Sequence, residues 1–188
     1  EDMSQVFKNG LSLKISMDML SINNYALLFT KDNGLYFSWY KNSLIITIYY
    51  TVVSLFFSSL VGYGVTMYDF KFKRPLVVII LSTMMIPLEI LMLPLYREML
   101  GFGLLNTYTG VVIPFAVSAF AIYFFMQYAQ TLPKELMDAA RVDGCGEFRI
   151  YYQIMAPIMI PAFGTMAILQ AMTAWNDFLW PLIVMSTN

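Results

Sequence analysis

Long apolar segments with almost no charge constrain the fold of this chain more than any other feature. A helix needs about 20 consecutive, mostly apolar residues to cross the hydrocarbon core of a bilayer. Four segments meet this requirement; the second contains Glu89, and the other three contain no charged residue. They are residues 42–68, 75–96, 108–129 and 151–176. The sequence therefore predicts an all-α membrane protein, a polytopic helical bundle with four visible spans.

The composition agrees with a membrane location and excludes several functions. Charged residues make up 12% of the chain, whereas soluble domains contain about 25%. The chain has no histidine, which excludes histidine-assisted nucleophiles and histidine-ligated metals. Its single cysteine, Cys145, can form neither an internal disulfide nor a metal cage, so we predict no metal site and interpret Cys145 as a small apolar filler. The net charge of -1 gives no electrostatic argument for binding nucleic acid.

Basic residues in the connecting segments predict the orientation of the bundle. The segment between the second and third spans contains one basic residue, Arg97, whereas the segments after the first and third spans contain more. These basic residues are Lys71, Lys73 and Arg74 in the earlier segment and Lys134, Arg141 and Arg149 in the later one. By the positive-inside rule, both basic segments face the cytoplasm. Residues 1–41 are then an extracytoplasmic lead-in, and residues 42–188 form the transmembrane domain.

The later basic segment, residues 130–150, concentrates acids and bases between two uncharged spans. Pro133 suits the first turn of a helix, and good helix formers predict that this helix covers residues 134–143. Gly144 follows at the position where a left-handed residue commonly ends a helix. A second helix is expected to begin near Gly146 and to continue into the fourth span. The segment therefore predicts a short helix, a sharp bend and a second helix fused to the membrane domain.

One side of the predicted short helix suits close contact with another protein. The residues that share this side, three or four positions apart, are Leu136, Ala139, Ala140 and Asp143. Two alanines leave the side thin, so a partner could approach closely. A helix that lies on lipid has bulky apolar anchors and a polar face rich in lysine and arginine, whereas this helix balances acids and bases. We favour a protein partner, with an interfacial helix on lipid as the alternative.

The segment and its flanks resemble a known family. The residues that carry the likeness are Asp138, Ala139, Ala140, Gly144, Ile154 and Pro157. Their spacing resembles the EAA signature of the membrane subunits of ABC importers. LPKELMDAARVDG, TMMIP, LLNTY and AWNDFLWPL resemble the second permease subunit of maltose-type carbohydrate importers, and the likeness covers nearly the whole chain. The signature begins with glutamate, but this chain has Asp138, whose side chain is one methylene shorter. The difference affects any contact that depends on the length of this side chain.

The resemblance implies a permease subunit of an ATP-driven importer for sugars or oligosaccharides; the alternative is a permease of the same superfamily for an amino acid, a peptide or an ion. Six spans are expected in the intact subunit, so the first and last would be absent here. The implied partners are a second permease, a dimer of ATP-binding cassette ATPase subunits, an extracytoplasmic solute-binding protein and the lipid bilayer. The implied location is a prokaryotic cytoplasmic membrane. No Walker A sequence is present, so we expect no enzymatic activity and no cofactor in this chain, with ATP and Mg on the ATPase subunit.

In such permeases the charged segment is a coupling helix that sits in a cleft of the ATPase subunit. The residues expected to couple to that subunit are Glu135, Asp138, Ala139, Ala140, Arg141, Asp143 and Gly144. As a hypothesis, ATP-driven closure of the ATPase subunits pulls this helix, and the fourth span transmits the movement.

Residues for a translocation path are harder to predict from the sequence. Glu89, as an intramembrane carboxylate, either faces a pathway or lies near the outer end of its span and pairs with Arg97. Asn176 and Asp177 follow the fourth span beside tryptophans, which suits sugar binding but also ordinary interfacial anchoring. Glu89 alone supplies neither the paired groups of an intramembrane enzyme nor the proton relay of a secondary transporter. We therefore predict a path that includes Glu89, Asn176 and Asp177.

Overall fold

The computed structural model describes residues 35–185, and all regular elements in this part of the chain are helical. The α-helices are α1 (Leu35–Met67), α2 (Lys73–Thr83), α3 (Leu88–Gly101), α4 (Tyr108–Val112), α5 (Ala119–Ala129), α6 (Lys134–Val142), α7 (Glu147–Ile150), α8 (Ile160–Asn176) and α9 (Leu179–Val184). A 3₁₀ turn, Ile113–Phe115, extends α4. A π-helix, Tyr151–Met155, and a single α-helical turn, Ala156–Ile158, join α7 to α8. The predicted all-α class is confirmed for this part of the chain.

The structure describes only part of the predicted lead-in, and it shows three of the four predicted spans to be bent. Of the lead-in, residues 1–34 lie outside the described residues, and residues 35–41 form the first turns of α1. Among the described helices, α1 alone is long and apolar enough to cross a membrane. Each of the other three predicted spans is a bent pair of helices, with angles of 100° between α2 and α3, 51° between α4 and α5, and 78° before α8. If each pair counts as one span, the described residues contain up to four.

Prolines account for the positions of these bends. Pro87 precedes α3 in an extended conformation, with φ -61° and ψ 134°, and separates α3 from α2. Pro114 lies in the 3₁₀ turn after α4, Pro157 lies in the single α-helical turn before α8, and Pro161 lies in the first turn of α8. Proline has no N–H to donate and clashes with the preceding turn, so a straight helix cannot continue through it without a break or a kink. Pro94 is the exception, because it lies within α3.

Helices α1 and α5 are in close contact at Gly62. A Cβ atom added at Gly62 would lie 2.7 Å from the Cβ of Phe125 and 2.9 Å from the carbonyl oxygen of Ile122, closer than side-chain atoms can approach. Phe125 is fully buried and belongs to an apolar cluster to which α1, α5, α6, α7 and α8 all contribute. Small residues allow membrane helices to approach one another closely, and Gly62 has this role here.

Polar side chains link α1 to the fourth predicted span inside the bundle. Gln170 of α8 donates a hydrogen bond from Nε2 to Oγ of Ser54, at 2.7 Å, and both side chains are buried. Ser59 Oγ and the hydroxyl of Tyr151, in the π-helix, lie 2.7 Å apart. Contacts of this kind between membrane helices contribute about 0.6 kcal/mol each on average. Helix α1 is therefore connected at two levels to the helical segment that follows α7.

The connecting segments fall into two groups at opposite ends of the bundle. At one end Tyr68, immediately after α1, donates a hydrogen bond to Glu147 at the start of α7, so the two basic segments lie together. We call this the basic end. At the opposite end, the hydroxyl of Tyr108, at the start of α4, donates to Oδ1 of Asn42 in α1, at 2.8 Å. The two basic segments thus lie on the same side of the bundle, as the positive-inside rule requires.

Candidate functional site

The charged segment at the basic end has the local structure that its sequence predicts. Helix α6 begins after Pro133, which is extended with φ -68° and ψ 124°, and ends one residue earlier than expected, at Val142. Gly144 has a left-handed conformation with φ 79°. The amide of Cys145 donates to the carbonyl of Ala140 at 2.9 Å, and the amide of Gly144 donates to that of Arg141 at 3.0 Å. These two bonds form a Schellman motif, so the predicted helix and its glycine end are confirmed.

One side of α6 packs on the bundle and the other is exposed. Met137 and Ala140 are buried in the apolar cluster, and the hydroxyl of Tyr63 in α1 donates to Sδ of Met137 at 3.4 Å. The structure therefore places Ala140, which the sequence assigns to the partner side, against the chain's own core. Ala140 lies three residues from Met137 and so shares its side of the helix. The exposed residues of α6 and its glycine end are Lys134, Glu135, Leu136, Asp138, Ala139, Arg141, Val142, Asp143 and Gly144.

Arg141 joins three elements at the basic end. Its Nε donates to Oε1 of Glu147 at 2.8 Å, its Nη2 to Oε2 of Glu147 at 3.2 Å, and its Nη1 to Oδ1 of Asp138 at 3.1 Å. The guanidinium carbon lies 5.9 Å from the ring centroid of Tyr68, whose hydroxyl donates to the same Glu147 carboxylate. The bonds to Glu147 raise the pKa of Arg141. We call Arg141, Glu147 and Tyr68 the arginine cluster; it connects α6, α7 and the end of α1.

Sequence reasoning did not assign a role to Glu147 or Tyr68. An acid in the first turn of α7, six residues after Arg141, is a signal that could have indicated Glu147. Tyr68 carries no such signal, because 79 positions separate it from Glu147 along the chain. Asp138, the residue that departs from the glutamate of the signature, is paired with Arg141 in its own helix.

The other basic segment closes the end of α1. Lys73 Nζ donates to the carbonyl oxygens of Thr66 and Tyr68, at 3.0 and 3.1 Å, and lies 3.2 Å from Oδ1 of Asp69. A lysine at this position neutralises carbonyls that have no partner within the helix. The same ammonium group lowers the pKa of Asp69. The end of α1 that carries Tyr68 is thereby held in a fixed conformation.

A cavity of about 630 Å³ lies toward the opposite end of the bundle. Asn176 and Asp177 both line it, together with Tyr50 of α1 and Thr173 of α8. Nδ2 of Asn176 donates a hydrogen bond to the carbonyl oxygen of Met172, at 2.7 Å. The structure therefore brings two of the three predicted path residues to one cavity, which also has mostly apolar walls.

Glu89, the third predicted path residue, has a different position. It is exposed in the first turn of α3, next to Leu88, which does line the cavity. Among the described residues, Glu89 forms no ion pair with Arg97, so the predicted alternative pairing is absent there.

The long apolar helices, the bent helix pairs and the capped charged segment fit a membrane subunit with several spans. Residues 54–188 match the family described as the binding-protein-dependent transport system inner membrane component, and the chain belongs to this family. The predicted resemblance to importer permeases is thus confirmed, and membership agrees with an inner-membrane location.

Two relatives and one solved structure illustrate the likeness. The chain is 50% identical over 185 residues to the arabinooligosaccharides transport system permease protein AraQ of Bacillus subtilis (strain 168), covering 98% of this chain and 66% of the relative. It is 37% identical over 175 residues to the lactose transport system permease protein LacG of Rhizobium radiobacter, covering 93% and 63%. A bacterial ABC transporter involved in the import of the acidic polysaccharide alginate has a similar structure, with a TM-score of 0.83, 26% identity, and coverage of 96% of this chain and 62% of the other. The chain thus spans just under two thirds of each of these proteins.

Proposed function

We propose that the intact protein is the membrane-spanning permease subunit of an ATP-driven importer for neutral sugars or oligosaccharides. The observation that carries the proposal is the capped and exposed helix α6, held at the basic end of a bundle with the fold of an importer permease. A helix of this kind presents a rigid surface to a partner, and it needs no catalytic group of its own. ATP and Mg would be bound by separate ATPase subunits. A second permease and an extracytoplasmic solute-binding protein would complete the importer, with the basic end facing the cytoplasm.

The charge of the cavity favours a neutral substrate. Relatives named for sn-glycerol 3-phosphate transport reach 31% identity over 143 residues, which makes an anionic solute the second candidate. Among the described residues, those that line the cavity include the acid Asp177 and no lysine or arginine. A carboxylate with no lysine or arginine beside it repels an anion, and such a wall offers a phosphate no basic partner. Arabinooligosaccharides, the substrates named for the most similar of the relatives above, are therefore suitable first probes.

Co-purification of an ATPase subunit tests the role of α6. We expect Ala139→Arg, which adds a long side chain to the exposed surface of α6, to reduce the ATPase subunit retained by the tagged full-length protein by about tenfold. Phe102→Arg is the matched control, because Phe102 is also exposed but follows α3 at the opposite end. Quantitative mass spectrometry of the purified complexes measures the retention. Equal retention by both variants would remove α6 from the contact.

Thiol labelling tests whether the cavity belongs to a water-filled path. In a Cys145→Ser background, Thr173→Cys places a thiol on the cavity wall, whereas Ile168→Cys places one on an exposed apolar part of the same helix. A path filled with water supports the thiolate that reacts, but an apolar environment does not. We expect a membrane-impermeant methanethiosulfonate to label Thr173→Cys about tenfold faster than Ile168→Cys in the assembled transporter. Equally slow labelling in ATP-free and vanadate-trapped states would exclude the cavity from the path.

A further inference from the structure

The arginine cluster gives α6 a second attachment to the bundle. The first attachment is the chain itself, which runs from α6 through α7 and the π-helix into α8. The second is formed by side chains: Arg141 binds Glu147 through two hydrogen bonds, and Tyr68 donates to the same carboxylate from the end of α1. Tyr63, one turn earlier in α1, adds its bond to Met137 of α6. Helix α6 is therefore connected to α1 as well as to α8.

The hydrogen bonds of the arginine cluster fix the relative orientation of its side chains more than they stabilise the folded protein. Exposed ion pairs contribute little to stability, typically 0 to about 1 kcal/mol. An arginine that binds a carboxylate through two nitrogens, however, fixes the relative direction of both groups. The hydroxyl of Tyr68 also donates to Glu147 Oε2, so the carboxylate has one preferred position. Arg149, in the same segment, is exposed and takes part in no ion pair among the described residues, which shows that a basic residue here is not always paired.

We propose that Arg141 and Glu147 are positioning residues that make α6 and the basic end of α1 move as one body. The inference rests on the proposed function, because it needs an ATPase subunit that displaces α6. When that subunit pulls on α6, the chain connection moves α8 and the arginine cluster moves α1 by the same amount.

The cavity gives this joint movement a consequence. Helix α1 contributes Ile46 and Tyr50 to its wall, and α8 contributes Thr173 and Asn176. Between the arginine cluster and the cavity, the bond of Gln170 to Ser54 links α8 to α1, and the bond between Ser59 and Tyr151 links α1 to the π-helix that leads into α8. If α1 and α8 move as one body, the distance between these two walls is preserved and both are displaced together. The path then does not open between α1 and α8.

The ratio of ATP hydrolysed to sugar imported distinguishes positioning from simple stability. The full-length protein is reconstituted with its second permease, ATPase subunits and binding protein, and arabinotriose is the transported probe. We expect Arg141→Gln and Glu147→Gln to consume about fivefold more ATP per sugar than the wild type, and Glu147→Gln, which lies outside the predicted coupling residues, to retain the ATPase subunit. A variant that is merely less stable loses both rates in proportion, so its ratio stays the same. Arg149→Gln is the matched control and should keep the wild-type ratio.

Two further variants keep the proposal testable if the single changes fold poorly. Tyr68→Phe removes only the hydroxyl and should raise the ratio in the same direction, whereas Tyr152→Phe, at an exposed position, should not. The double variant Arg141→Glu with Glu147→Arg exchanges the two charges and should bring the ratio part of the way back to the wild-type value. The recovery is incomplete because Asp138 then faces a like charge at position 141. An unchanged ratio in both single variants, or loss of the ATPase subunit from Glu147→Gln, would overturn the positioning role. Failure of the wild type to retain any ATPase subunit would instead contradict the proposed function.

Discussion

Replacing Gly110 with alanine is expected to prevent the protein from accumulating in its folded form. A Cβ atom at this position would lie 2.1 Å from the carbonyl oxygen of Leu104 and 3.0 Å from the carbonyl carbon. The contact is with backbone, so no side chain can rotate away to relieve it. The carbonyl of Gly110 also accepts a hydrogen bond from Nε1 of the buried Trp180, at 3.3 Å, so a shift of α4 disturbs α9 as well. We expect a loss of about 3 kcal/mol or more in the free energy of unfolding.

Gly101→Ala is the matched control for this prediction. Gly101 is the last residue of α3, and a Cβ atom there would meet nothing within 4 Å. Alanine favours a helix over glycine, so this variant should be as stable as the wild type or slightly more stable. Size-exclusion chromatography in detergent and thermal melting measure the folded fraction of both variants. Similar folded yields from the two proteins would mean that α4 can move away from Leu104 at little cost.

Gly144→Val is expected to reduce sugar uptake by about tenfold or more while leaving the membrane bundle folded. A left-handed residue costs an ordinary L-amino acid about 1–2 kcal/mol, and a β-branched side chain makes the conformation less favourable still. The chain must therefore leave the Schellman motif or remain strained, and α6 loses its fixed direction relative to α7. Uptake of radiolabelled arabinotriose into proteoliposomes that contain the complete transporter measures the effect.

Two substitutions separate this conformational effect from a change in size. Gly146→Ala changes a nearby glycine whose φ of -73° any residue adopts and whose Cβ position is open, so uptake should remain normal. Gly144→Asn should retain most uptake, because asparagine tolerates the left-handed conformation. If the asparagine variant is as inactive as the valine variant, the requirement at Gly144 is for the absence of a side chain and not for its backbone angle.

Periodicity and hydropathy predict the helical class, the approximate spans and the end of α6, because each depends on neighbouring residues. Gly144 is the clearest case, since the need for a left-handed residue after a helix can be read from sequence. The positions of the bends are harder to predict from the sequence. Pro87 and Pro94 look alike in the sequence, yet Pro87 precedes a bend of 100° and Pro94 lies within a helix. Which proline breaks a helix depends on the packing of its neighbours.

The candidate site divides in the same way. Arg141 and Asp138 lie on one helix at a spacing of three, so their pairing follows from local geometry. The contact of Glu147 with Tyr68 depends on how α1 and α7 pack, and no local pattern contains that information. Ala140 shows the same limit, because helical spacing places it equally well on a partner's side or on the core side until Met137 is known to be buried. The roles of these residues in an importer remain predictions.

The π-helix Tyr151–Met155 determines the direction in which the charged segment points. Each residue of an α-helix advances the chain by about 100° around the helix axis, and a π turn accommodates one residue more than an α-helical turn. The surplus residue shifts the rotational phase between α7 and the α-helical turn Ala156–Ile158. Without it, an α-helical turn would still connect these two elements, but α6 and α7 would be rotated by about a quarter of a turn about the axis of the segment 147–158. The π-helix thus determines the direction that the exposed surface of α6 faces.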